Sequence, residues 1–101
     1  MSSTLKQITN CMGYQQITSL SAAQSLTVPT TDPRGVAGSP RLAIIIPLTQ
    51  AVRWRDDGVA PTASVGMPLA AGAALVYDGD LGRIKIIEQT ASAELNISYY
   101  S

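Results

Sequence analysis

Glu94-Leu95-Asn96-Ile97-Ser98-Tyr99-Tyr100 decides the fold. Leu95, Ile97 and Tyr99 fall on one side of an extended chain, while Glu94, Asn96 and Ser98 fall on the other. A two-residue period of this kind belongs to a strand with one buried and one open face. Tyr99 and Tyr100 are sent to opposite faces, so at most one joins the interior and the other is available at a surface. Arg83-Ile84-Lys85-Ile86 repeats the alternation with its charges outward. Ala51 to Arg55 repeats it again: Val52 and Trp54 face one way, Arg53 and Arg55 the other.

Other stretches fill in the strands between these. Leu42-Ala43-Ile44-Ile45-Ile46-Pro47 is continuously apolar and reads as a strand covered on both faces. Val65 to Leu69 is a short strand that Pro68, lacking an N–H, restricts to a sheet edge. Ala74 to Tyr77 is another short one. Asp56-Asp57-Gly58 and Asp78-Gly79-Asp80 are turn signals. Turns recur at roughly 8–12 residue spacing, the pattern of a sandwich or barrel. The best helical stretch, Ser19 to Ser25, is too short to hold a helix. The expected fold is all-β, a small antiparallel β-sandwich or jelly-roll-like barrel.

The first forty residues have a different texture. Lys6 is the one charged side chain before Asp32, and serine, threonine and glutamine dominate. Gln16 to Leu20 and Ser25 to Val28 alternate weakly, and Pro29 to Gly35 and Gly38-Ser39-Pro40 read as loop. The expected division is an extended N-terminal arm over residues 1–40 and a sandwich core over residues 41–101. On that division, removal of residues 1–12 leaves a folded core.

Composition narrows the function classes. The chain has 101 residues, enough for one domain with one modest core. Seven basic and seven acidic side chains cancel, which argues against nucleic acid as the partner. There is no histidine, which removes the usual general base and the commonest metal ligand. The single cysteine, Cys11, can form neither an internal disulfide nor a thiolate cluster. Only 14% of residues are charged, about half the usual share, so much of the surface is expected to be covered in an assembly. No stretch reaches the ~18 apolar residues of a membrane span, and no secretory signal opens the chain. Cytoplasmic synthesis and no membrane partner are the expectations.

No group of residues suggests a reaction. Asp56, Asp57, Asp78 and Asp80 stand beside glycines and suit turns better than calcium, whose loops need 6–8 oxygen ligands. No catalytic residue, metal or cofactor is expected. Arg53 and Arg55, side by side on one strand face, are candidate subunit contacts, because arginine is enriched at protein interfaces. The same hairpin's Asp56 and Asp57 could instead neutralise them. Tyr100 is a third candidate contact. Tyr14, Tyr77 and Tyr100 could alternatively stack on sugar.

Val52-Arg53-Trp54-Arg55-Asp56-Asp57-Gly58, Ala60-Pro61-Thr62-Ala63, Gly66-Met67-Pro68-Leu69, Gly72 and Leu95 to Tyr100 together resemble small virion-associated proteins of tailed bacteriophages. The likeness covers roughly residues 50–100, about half the chain. It implies a head decoration or cement protein on the capsid surface, partnered by the major capsid protein or another virion protein and often trimeric. A carbohydrate-binding module, or a neck, tail or fibre accessory, is the alternative. The period of two predicts a far-UV circular dichroism spectrum dominated by strand. A helix content above about a quarter would contradict it.

Overall fold

The computed structural model describes residues 10–101. Every regular element in it is a strand: β1 (Cys11–Ile17), β2 (Gln24–Ser25), β3 (Leu42–Leu48), β4 (Val52–Arg55), β5 (Met67–Leu69), β6 (Leu75–Tyr77), β7 (Lys85–Glu88) and β8 (Glu94–Tyr100). They form two antiparallel four-stranded sheets, ordered β1-β8-β3-β6 and β2-β7-β4-β5. The order has a simple origin. Strands β1 and β8, β2 and β7, β3 and β6, and β4 and β5 pair as one long nested hairpin. That ribbon curls until β3 meets β8 and β4 meets β7. The result is a jelly roll.

Alternation then builds the interior. From the first sheet, Ala43, Ile45, Leu95, Ile97 and Tyr99 point inward, and from the second Val52 and Ile86, all at most 1% exposed. Trp54 packs against this core and meets Tyr77 edge-on at a centroid distance of 6.0 Å. Two prolines fit the ladders for one reason, their missing N–H. Pro68 sits on β5, an edge strand as expected. Pro47 lies on the interior strand β3, but β6 pairs only with Ala43, Ile44 and Ile45. Past that point, the vacant side of Pro47 needs no donor, and its carbonyl accepts the Gly72 N–H at 2.8 Å.

Two expectations require correction. Residues 1–9 of the expected arm lie outside the described residues. The remainder is not an arm, because β1 pairs along its length with β8, and Met12, Leu20 and Leu26 are buried in the common core. Removing residues 1–12 would therefore cut into a strand and take Met12 out of the interior. The alternation of β1 is hidden in sequence by a register shift between Cys11 and Gly13, and by Gln15 on the inner side. Secondly, β3 is buried on one face only. Leu42, Ile44, Ile46 and Leu48 are half-buried and belong neither to the core nor to the side chains packed on it.

Gln15 earns its inward place. The Tyr99 hydroxyl donates to Gln15 Oε1 at 2.6 Å, and the Thr27 N–H donates to the same oxygen at 3.1 Å. One side-chain oxygen thus joins β8, β1 and the segment after β2. Replacing Gln15 by leucine strands a buried hydroxyl, and is expected to lower stability by about 1–3 kcal/mol in denaturant unfolding. Pairing it with Tyr99→Phe should recover part of the loss. Burial pushes the Tyr99 hydroxyl up to about 12. Burial, then the hydrogen bond to Asp56, pushes Tyr77 up to about 12 as well. The unfolded chain ionises its tyrosines near pH 10, so this contribution is intact below about pH 10 and is lost as pH rises through about 12. Melting at about pH 8 and about pH 11 should show the drop, reduced in Tyr99→Phe.

Candidate functional site

The sandwich exposes two sheet faces of opposite character. On the second sheet, register places Arg53 beside Ile87 and Pro68, and Arg55 beside Lys85, which pairs in turn with Ser25. This face is basic. On the first sheet, the outward positions are Leu42, Ile44, Ile46 and Leu48 on β3, Val76 on β6, Glu94 to Tyr100 at alternate positions on β8, and Cys11, Tyr14 and Gln16 on β1. Tyr14 is 63% and Val76 60% exposed. This face is apolar along β3 and polar but uncharged along most of β8 and β1.

The three candidate contact residues therefore do not meet. Tyr100 stands on the first face; Arg53 and Arg55 stand on the second. Both arginines also have partners within the chain. Arg55 grips Asp57 through two bonds, Nε to Oδ1 at 3.1 Å and Nη2 to Oδ2 at 2.5 Å. That pairing raises the Arg55 guanidinium pKa and holds the Asp57 carboxyl below its ordinary value. The neutralising role expected of this hairpin falls to Asp57. Asp56 instead accepts the Tyr77 hydroxyl at 2.7 Å.

Arg53 has a different task. Its Nε donates to the Ala63 carbonyl at 3.1 Å and its Nη1 to the Gly66 carbonyl at 2.9 Å, holding the long β4–β5 loop against the sheet. Gly66 is required there: its φ is +146°, and a Cβ would lie 3.1–3.2 Å from Pro61, Arg53 and the Trp54 carbonyl. Beside this loop an open cleft of about 420 Å³ is lined by Arg55, Asp56, Asp57, Val65, Gly66 and Met67. A second, of about 450 Å³, lies among Val28, Arg41 and the Asp78 to Gly82 turn.

The acidic turns keep their structural roles. Asp80 Oδ1 accepts the Gly82 N–H at 3.0 Å, which is turn chemistry. Among the described residues, no three cysteine, aspartate or glutamate side chains converge as metal ligands would. Of the three tyrosines considered for stacking, Tyr77 is buried at 7% exposure. Tyr14 donates to Asn96 Oδ1 at 2.5 Å, and Ser98 donates to the Tyr100 oxygen at 3.1 Å.

Asp32 was not singled out by the sequence. It is 9% exposed and organises the loop before β3. Its Oδ1 accepts the Arg34 and Val36 N–H groups, both at 2.9 Å, and its Oδ2 accepts Arg34 Nη2 at 2.9 Å. The bond from Val36, followed by that from the Arg34 side chain, lowers its pKa. The Asp-Pro-Arg-Gly run was a visible turn signal; the depth of its carboxylate was not.

No protein-family model, curated protein or solved structure matches the chain.

Arg53→Ala is expected to speed backbone hydrogen exchange across residues 56–66 while leaving β7 and β8 protected. Arg53→Lys should restore little of the protection, since an ammonium cannot hold both carbonyls in the fork geometry. Unchanged exchange in both variants would show that the loop is held by its backbone alone.

Proposed function

We propose that the protein is a structural component of a tailed-bacteriophage virion, a head decoration or cement subunit that bridges capsid subunits. The observation that carries this reading is the apolar outer face of the first sheet, since the half-buried leucine and isoleucine row of β3 with the exposed Val76 beside it suits a protein partner. Low charge across the whole chain points the same way. The likeness of residues 50–100 to virion-associated proteins supplies the particle. Jelly rolls are common among viral capsid domains, although they also serve in lectins, so the fold adds analogy only.

In this role the protein acts as a non-catalytic clamp. Its long strap, from Thr18 to Arg41, is already ordered against the core through Leu20, Leu26 and the Asp32 turn. Binding would therefore not bear the entropy of ordering that segment, roughly 1–2 kcal/mol per residue for backbone. Weak contacts repeated around a particle then suffice through avidity. A sugar-binding virion accessory is the second reading, favoured by the exposed ring of Tyr14.

Purified protein mixed with undecorated capsids of the phage that encodes it should co-sediment with them, and should be found by mass spectrometry in the purified virion. Its absence from the virion, together with no co-sedimentation, would overturn the reading. Retention on a glycan array that Tyr14→Ala abolishes would transfer it to the second.

A further inference from the structure

We propose that Asp78 is a site of spontaneous covalent modification. In the folded chain its link to Gly79 rearranges to isoaspartate, while the matching Asp57–Gly58 link is held back. The inference concerns two turns of the chain and is independent of any partner.

The chemistry needs only water. The Gly79 amide nitrogen attacks Asp78 Cγ, and the carboxyl group loses one oxygen as water, closing a five-membered succinimide. Water then reopens the ring. Entry at Cγ restores aspartate. Entry at the main-chain carbonyl carbon of Asp78 leaves the chain running through Cβ and Cγ. Mass and net charge are unchanged, but the main chain of the β6–β7 turn gains a methylene. A glycine partner favours ring closure, because without a Cβ it neither crowds the carboxyl group nor restricts the backbone. The sequence holds two aspartate–glycine pairs, Asp57-Gly58 and Asp78-Gly79, and no asparagine–glycine pair.

Both glycines are there for structural reasons. Gly58 has a φ of +87°, in the left-handed region that side chains avoid. At Gly79 a Cβ would run into the Tyr77 hydroxyl, which bonds to Asp56. Both pairs are exposed. They differ in the carboxylate. Arg55 ties Asp57 at both oxygens, and Asp57 Oδ1 also accepts the Val59 N–H at 3.3 Å. The Arg83 guanidinium lies over Gly58, its Nη2 3.4 Å from where a Cβ would stand. Turning the Asp57 carboxyl group onto the Gly58 nitrogen therefore breaks the Arg55 pair. The same pairing lowers the Asp57 pKa, which disfavours the neutral acid that loses water. Asp78 has no such restraint. Arg41 lines the same cleft, yet among the described residues the Asp78 side chain makes neither an ion pair nor a hydrogen bond. Asp80, two residues on, is engaged with the Gly82 N–H and is followed by Leu81 rather than glycine.

The test keeps purified protein warm at neutral pH for weeks, folded and, in parallel, unfolded in guanidinium chloride. Trypsin releases residues 56–83 as one peptide that carries both pairs. Electron-transfer fragmentation locates isoaspartate within it, and endoproteinase Asp-N, which cuts before aspartate but not before isoaspartate, checks the position. In the folded chain isoaspartate should build up at position 78 severalfold faster than at position 57. In the unfolded chain the two rates should converge. Arg55→Ala, with its fold checked by circular dichroism, should raise the rate at position 57 severalfold and leave that at 78 unchanged. Asp78→Glu should abolish the signal at 78, since a six-membered ring closes far more slowly. The comparison of folded with unfolded wild-type chain needs no variant and keeps the test readable should Arg55→Ala misfold. Equal rates at the two positions in the folded wild type, or no isoaspartate at 78, would overturn the proposal. So would a folded Arg55→Ala variant in which position 57 reacts no faster.

Discussion

The β3–β8 ladder is the closure on which the rest depends. Without it, the nested hairpin pairs would leave a long two-stranded ribbon, and such ribbons are marginal in water. Seven residues of β3 align with seven of β8, from Leu42 with Tyr100 to Leu48 with Glu94. Once the ribbon is curled in this way, Ile45 and Ile97 face the second sheet and an interior exists. Val52, Ile84 and Ile86 then have something to pack against. The β4–β7 ladder does the same on the other side but is shorter. The core is thus a product of curling rather than of any single hairpin.

Much of this was legible because polar and apolar residues alternate strictly where one face meets water. The strands β4, β7 and β8 carry that signal, and Pro68 correctly placed β5 at an edge. The β1 strand was missed for a physical reason. Gly13, Gln15 and Ile17 share its inner side, and a glutamine there breaks the apolar period. Gln15 is inside because Tyr99 and Thr27 both need an acceptor, a relation across 84 residues that no local window can show. The run from Leu42 to Pro47 misled in the opposite sense. It has the composition of a doubly covered strand, yet its odd-numbered side chains are buried and its even-numbered ones only half-buried.

The candidate contacts failed to assemble for a reason of topology. Arg53 and Arg55 belong to β4 and Tyr100 to β8, and curling the ribbon puts those strands in different sheets. Sequence can assign a residue to the outer face of its own sheet, but not tell which sheet that is. The two arginines also illustrate how a surface cation is absorbed by its surroundings: one holds loop carbonyls, the other a neighbouring carboxylate. What stays uncommitted is apolar, and it lies on the side of the sandwich where no charged cluster advertised it.

The central place of β8 also has a mechanical meaning. A tension applied along this strand loads two ladders at once, those to β1 and to β3, and loads both in shear. Their hydrogen bonds must then yield together. The edge strands β5 and β6, three residues each and paired on one side, would instead peel open bond by bond. Force entering the molecule through β8 meets its stiffest direction, while force entering through the β5–β6 corner meets its most compliant one.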